Sequence, residues 1–374
     1  MSTQARTGRV GILGVATASP EHEVSQAQAK AFARSFFVDG EGPGHERQDS
    51  PALARALSSF DNAGIATRQI AQPIAWLQAR HDFPTKNAAY LEAARELSRR
   101  AGAEALRRAG VEPREIGAVV FASSTGIATP SLDARLVQDL DLPRSCARVP
   151  LWGLGCAGGG AGVGRAMALA RGLGEPVLVV ACELCTLTFV HGDRRKANLI
   201  AVALFGDGAA ATVVAPEPWW TPPRGPELLS PYARLLDDTE DVMGWDLEGE
   251  GLRVRFSPVI PALTREHAQA MAREAAATAG LAPEDLRHFV VHPGGRKVLE
   301  AYRGALTPAA AEPGAEDDPL RHAAAVLRDH GNMSSPTVLF VLERFLDATP
   351  ASGEAGLLLA LGPGFCAEGA VLRW

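Results

Sequence analysis

The chain has 374 residues, 47% hydrophobic and 21% charged, enough for two domains or one large one around a sizeable core. A formal net charge of −6 without Lys/Arg runs argues against nucleic acid as the main partner, and no apolar run reaches membrane-spanning length. Five cysteines in so long a chain are no disulfide framework, so the expected location is the cytoplasm, with reduced thiols.

In chain order, Val10–Ala18 predicts a buried strand; two glycines make it a poor signal-peptide core. Residues 40–50, rich in Gly, Pro and charge, predict a loop. Helical periodicity over 91–109 leads through a turn into the strand Ala118–Ala122, and 132–140 reads as another helix. The apolar run 176–182 predicts a strand covered on both faces. Residues 209–215 close this half, and the Pro-rich stretch 216–226, with Trp219 and Trp220, reads as a surface connection.

Between these elements lies the stretch 151–164, Leu-Trp-Gly-Leu-Gly-Cys-Ala-Gly-Gly-Gly-Ala-Gly-Val-Gly. Its glycines permit sharp turns and close backbone approach around Cys156. The helical pattern that follows puts Cys156 on a first turn, where unpaired N–H groups favour thiolate over thiol. A lone Cys is otherwise most often a small apolar core residue.

The second half echoes the first. Ala109-Gly-Val-Glu-Pro-Arg-Glu-Ile returns 170 residues on as Ala279-Gly-Leu-Ala-Pro-Glu-Asp-Leu, and Cys156 has a counterpart 176 residues on in Asn332. The strand 176–182 is matched by 356–361. An α/β chain of two duplicated halves follows: residues 1–215 with the Cys, a connection over 216–235, and 236–374 with His292 and Asn332. His292 ends a strand before Pro293-Gly-Gly295, and Asn332 stands in His330-Gly-Asn-Met-Ser-Ser335. Cys, His and Asn make a coherent set: sulfur to attack, imidazolium to hold the thiolate, amide and imidazole donors for an oxyanion. Competing motifs fail. A hydrolase elbow needs Gly at position 154, which is Leu; Cys182 and Cys185 lack a second metal-ligand pair; the glycines at 158–164 lack the Lys-Ser/Thr of a phosphate loop.

The set Gly155-Cys156-Ala-Gly-Gly159, Ala203-Leu-Phe-Gly-Asp-Gly-Ala-Ala210, His292-Pro-Gly-Gly295, Gly331-Asn-Met-Ser-Ser335 and Gly362-Pro-Gly364 resembles the type III polyketide synthases, the chalcone-synthase-like branch of the thiolase superfamily. The motifs run in the same order over nearly the whole chain. The resemblance implies a five-layered αβαβα thiolase-like fold and a homodimer. It implies that no cofactor is needed, CoA thioesters being the substrates. Cys156 would carry an acyl group from an acyl-CoA or acyl carrier protein, while His292 and Asn332 bind malonyl-CoA and stabilise its enolate on decarboxylation. Phe205 would gate the cavity. Ser334 and Gly362, Pro363 and Gly364 would shape it, with Thr129, Thr188, Ala201 and Val254.

Two departures from the plant pattern stand out. Val254 replaces a second gatekeeping Phe, and Ser58, Ser59 and Asn62 replace a basic cluster for the CoA phosphates, leaving Arg68 as the nearest cation. The wording around Cys156 and Glu183 resembles bacterial alkylpyrone and alkylresorcinol synthases, so a medium- or long-chain fatty acyl starter is expected. Alternatives are a ketoacyl synthase III making one condensation, an aromatic- or malonyl-primed synthase, and a non-catalytic thiolase-fold scaffold, which would normally have lost Cys, His or Asn.

Overall fold

The computed structural model describes residues 8–37, 51–307, 315 and 317–374. The loop expected over 40–50 lies outside them. Among the described residues, nine strands form one mixed sheet in the order Leu286–Val291, Ala355–Gly362, Cys366–Arg373, Glu227–Leu235, Val10–Ala18, Asp207–Pro216, Val177–Leu184, Ala118–Ala122 and Ala147–Leu151. A single residue pair, Gly11 with Glu227, joins its two halves. The duplication is visible in the pairing. In the first half Ala118–Ala122 lies parallel to Val177–Leu184, which pairs antiparallel with Asp207–Pro216. In the second, Leu286–Val291 lies parallel to Ala355–Gly362, which pairs antiparallel with Cys366–Arg373.

Two buried helices, Gly158–Leu173 and Thr337–Ala348, pack against strands of both halves. Phe83–Ala109 covers the outer face of the first half and Ile260–Thr278 that of the second, completing five layers of the α/β thiolase-like fold. The glycine run is what lets the centre close. A Cβ at Gly159 would stand 2.2 Å from the Ser335 carbonyl oxygen, and one at Gly160 2.4 Å from that of Glu368.

Several elements differ from expectation. The helix expected from residue 91 starts at Phe83, because Asp82 caps it by accepting from the Thr85 N–H at 2.9 Å. Trp220 is buried rather than on the surface: its ring fills the space beside Gly11, and Nε1 donates to the Gly225 carbonyl. Glu227–Leu235, placed in the connection by sequence, is a sheet strand with Leu228, Ser230 and Tyr232 buried. Cys156 sits on a 3₁₀ turn, Gly155–Ala157, one step before the α-helix that starts at Gly158.

Candidate active site

Three loops meet at Cys156. Gly155 has φ +46, and a Cβ there would stand 2.8 Å from Pro363, so the Gly362-Pro363-Gly364 turn lies directly on the Cys156 turn. The Cys156 sulfur reaches Asn332 Oδ1 at 4.0 Å and is also hydrogen-bonded to Ser334. The Asn332 amide is held at both ends: Oδ1 accepts from the Ser334 N–H at 2.8 Å, and Nδ2 donates to the Gly294 carbonyl at 3.0 Å. Gly294 follows His292 in the turn after Leu286–Val291, so His292 is tied to Asn332 through backbone. Neither ring nitrogen of His292 has a hydrogen-bond partner, and no hydrogen bond joins His292 to Cys156.

Behind Cys156 stands a carboxylate that sequence reasoning passed over. Glu183 is buried and accepts from the Ser124 N–H at 2.9 Å, Thr125 Oγ1 at 2.7 Å and Ser335 Oγ at 3.1 Å. Ser124 Oγ in turn accepts from the Gly155 N–H at 3.2 Å. Glu183 thus braces the residue before the nucleophile and the helix start after Asn332. The available signal was a single ionisable residue inside the unbroken apolar run 177–184.

Cys156 and His292 are both buried, and burial opposes the charges of the expected thiolate–imidazolium pair. Burial raises the Cys156 thiol, against its hydrogen bonds with Ser334 and Asn332, and lowers the His292 imidazole, so it favours the neutral form of each.

Burial also raises the Glu183 carboxyl from 4.5 to about 7, against the pull of its Ser124, Thr125 and Ser335 bonds. The folded form therefore binds a proton that the unfolded chain has released. The resulting stability is fully present below about 4.5 and is lost as pH rises through about 7, a change of up to about 3 kcal/mol. Glu183→Gln should flatten that decline in urea unfolding measured between pH 5 and 8. An unchanged slope would mean that Glu183 is ionised in the fold.

Beyond Asn332 the chain builds a cavity. The Asn332 N–H donates to the Leu204 carbonyl at 2.8 Å and the Gly206 N–H to the Asn332 carbonyl at 3.0 Å, pinning Phe205 beside the site. Phe205, Ala201, Val254 and Cys185 form one apolar cluster. With Thr188, whose hydroxyl donates to the Cys185 carbonyl at 2.7 Å, they line a narrow, largely apolar cavity. It runs on past Phe189, Phe32, Ile70 and Leu77.

A second aromatic packs against this cluster beside Val254. Trp245 lies opposite Val254 in the hairpin Met243–Glu248/Gly251–Phe256, and its ring meets Phe205 edge-on at 6.3 Å. Sequence reasoning missed Trp245, since only the strand register reveals it. Thr129 does not line the cavity of this chain: it is exposed. Arg68 is no surface cation for phosphates, being 2% exposed. Arg55, one turn before Ser58 on the helix Pro51–Asp61, is an exposed cation there, and the sequence reading omitted it.

Comparison with known proteins adds to this geometry. Residues 69–218 match the model of the N-terminal domain of chalcone and stilbene synthases, and residues 227–374 that of the C-terminal domain. A 1,3,6,8-tetrahydroxynaphthalene synthase of Streptomyces peucetius subsp. caesius is 39% identical over 368 residues, 97% of this chain and 93% of that protein. A Bacillus subtilis (strain 168) protein that bears a chalcone synthase name is 37% identical over 374 residues, 97% of this chain and 98% of its own. Among solved structures, the 1,3,6,8-tetrahydroxynaphthalene synthase of Streptomyces coelicolor A3(2), described as a bacterial type III polyketide synthase, superposes with a TM-score of 0.87. It is 29% identical, and the match covers 97% of this chain and 99% of that one.

Proposed function

The chain belongs to the chalcone and stilbene synthase family and is a type III polyketide synthase, an acyltransferase; from there we propose that Cys156, His292 and Asn332 carry its chemistry. The observation that supports this most is the Cys156 sulfur 4.0 Å from an Asn332 amide fixed at both ends, beside a buried His292 with free ring nitrogens.

His292 takes the Cys156 proton as the sulfur attacks an acyl thioester, and returns it to the departing CoA sulfur. Malonyl-CoA then loses carbon dioxide. The enolate oxygen is held by His292 and by the Asn332 Nδ2 hydrogen that Gly294 does not use, and the enolate carbon attacks the acyl group on Cys156. In this proposal the half up to residue 215 supplies the nucleophile and the half from 236 supplies the enolate site, with 216–235 between them.

The starter in this proposal is a medium- or long-chain fatty acyl group, delivered by CoA or by a carrier protein, and the product is cyclised to an alkylpyrone or alkylresorcinol. The largely apolar lining of the cavity supports it. Each buried methylene is worth about 0.8 kcal/mol, so four extra carbons separate starters by roughly a hundredfold. kcat/KM measured with hexanoyl-, lauroyl-, palmitoyl- and benzoyl-CoA should favour the long chains, and Val254→Phe should lose those first. A second reading, malonyl priming with a polyhydroxylated aromatic product, is favoured by the names of the relatives. Preference for a malonyl or aromatic starter in that panel would select it.

A homodimer is part of the proposal. Ala147–Leu151 is a free sheet edge, and Trp152 and Ile127 beside it are 57% and 41% exposed. No helix among the described residues is long and apolar enough to cross a membrane. A cytoplasmic location, where CoA thioesters are made, fits the five free cysteines.

A further inference from the structure

One charged side chain in the cavity has no role in the chemistry above. Arg68, on the short strand Thr67–Ile70, is 2% exposed and lines the cavity with Ile70, Val202, Phe205 and Val254. Its Nη1 donates to the Val202 carbonyl at 2.9 Å and the Phe205 carbonyl at 3.2 Å, serving backbone acceptors at the end of the helix Lys196–Leu204. Its Nε and Nη2 have no partner. Those two N–H groups are the side-on edge of the guanidinium, the one that grips a carboxylate through two parallel hydrogen bonds.

A buried donor without an acceptor is costly, and an unpaired buried cation more so. Burial lowers the guanidinium to about 10, which leaves it charged at neutral pH. Among the described residues no Asp or Glu lines this cavity. An acceptor on what enters the cavity would satisfy both groups.

We infer that the free edge of Arg68 binds a carboxylate at the far end of the starter acyl chain, so that the preferred starters are ω-carboxyacyl thioesters rather than simple alkyl ones. The apolar walls take the methylenes, and Arg68 takes the terminal carboxylate. The inference rests on the proposed acyl-primed reading and narrows its substrate class.

The test compares octanoyl-CoA with the mono-CoA thioester of octanedioic acid. Each is supplied with malonyl-CoA to wild type, Arg68→Lys and Arg68→Gln, and each protein's Tm is recorded. The readout is the ratio of kcat/KM for the carboxyacyl over the alkyl starter. It is internal to each protein, so loss of folded enzyme cancels. A charge-assisted bidentate pair predicts a wild-type ratio of roughly ten to a hundred. It should fall to about one or below in Arg68→Gln and partway in Arg68→Lys, which keeps charge but not the fork. If Arg68→Gln fails to fold, Arg68→Lys and the wild-type ratio carry the test. A wild-type ratio of one or less overturns the inference while leaving acyl priming intact. So does an unchanged ratio in the folded variants, which would reduce Arg68 to a clamp on Phe205. If wild type extends neither starter but turns over malonyl-CoA alone, the acyl-primed reading falls as well.

Discussion

Cys156→Ala is expected to lower carbon–carbon bond formation by several orders of magnitude, because without the sulfur no acyl group is held for the enolate to attack. The substitution should barely disturb the fold. Cys156 is buried on a 3₁₀ turn, and its sulfur lies a long 4.0 Å from Asn332 Oδ1, so Tm should stay close to wild type. Decarboxylation of malonyl-CoA should survive in part, since it needs only His292 and Asn332. Product analysis and carbon dioxide release, measured on one preparation, separate the two steps. Loss of both together would assign Cys156 a structural role in the malonyl site. Full condensation in the variant would remove it from the reaction.

Asn332→Ala is expected to act on the other step, suppressing decarboxylation by two to three orders of magnitude, the usual cost of one oxyanion donor. Here packing complicates the reading. Truncation also strips the Ser334 N–H and the Gly294 carbonyl of their partner, at roughly 1–3 kcal/mol for each buried group left unpaired. Asn332→Asp therefore belongs in the same experiment. It preserves the shape and the acceptor toward Ser334, but it offers no hydrogen to an enolate. Both variants should lose decarboxylation while acyl loading of Cys156 falls far less. Decarboxylation at the wild-type rate in Asn332→Asp would show that the amide hydrogen is not used.

How much was legible in advance depends on the range of the cause. The strands Val10–Ala18 and Ala118–Ala122 follow from local apolar runs, and the structure has them with the same ends. The meeting of Cys156 with Asn332, 176 residues apart, was readable because the duplication puts both at the start of a buried central helix. Their protonation was not. A helix start argues for thiolate and desolvation against it, and depth of burial is a property of the assembled layers. Trp245 was hidden for a different reason: it faces Phe205 only because the hairpin register pairs it with Val254. Thr129 could be matched to a family position from its neighbours, yet its exposure is a property of the assembled fold. Arg68 shows the same limit. Its charge suggested a surface role, whereas tertiary packing turns it into the core.

The account rests on Cys156-bound acyl groups being extended by decarboxylated malonyl units. Incubation of the enzyme with an unlabelled acyl-CoA and malonyl-CoA carrying carbon-13 at all three malonyl carbons, followed by mass spectrometry of products and gas, tests that most directly. The predicted result is a cyclised product that keeps the unlabelled starter and gains labelled carbons in pairs. One labelled carbon dioxide should be released per pair. Only free acid and CoA, or a single uncyclised two-carbon extension, would contradict it.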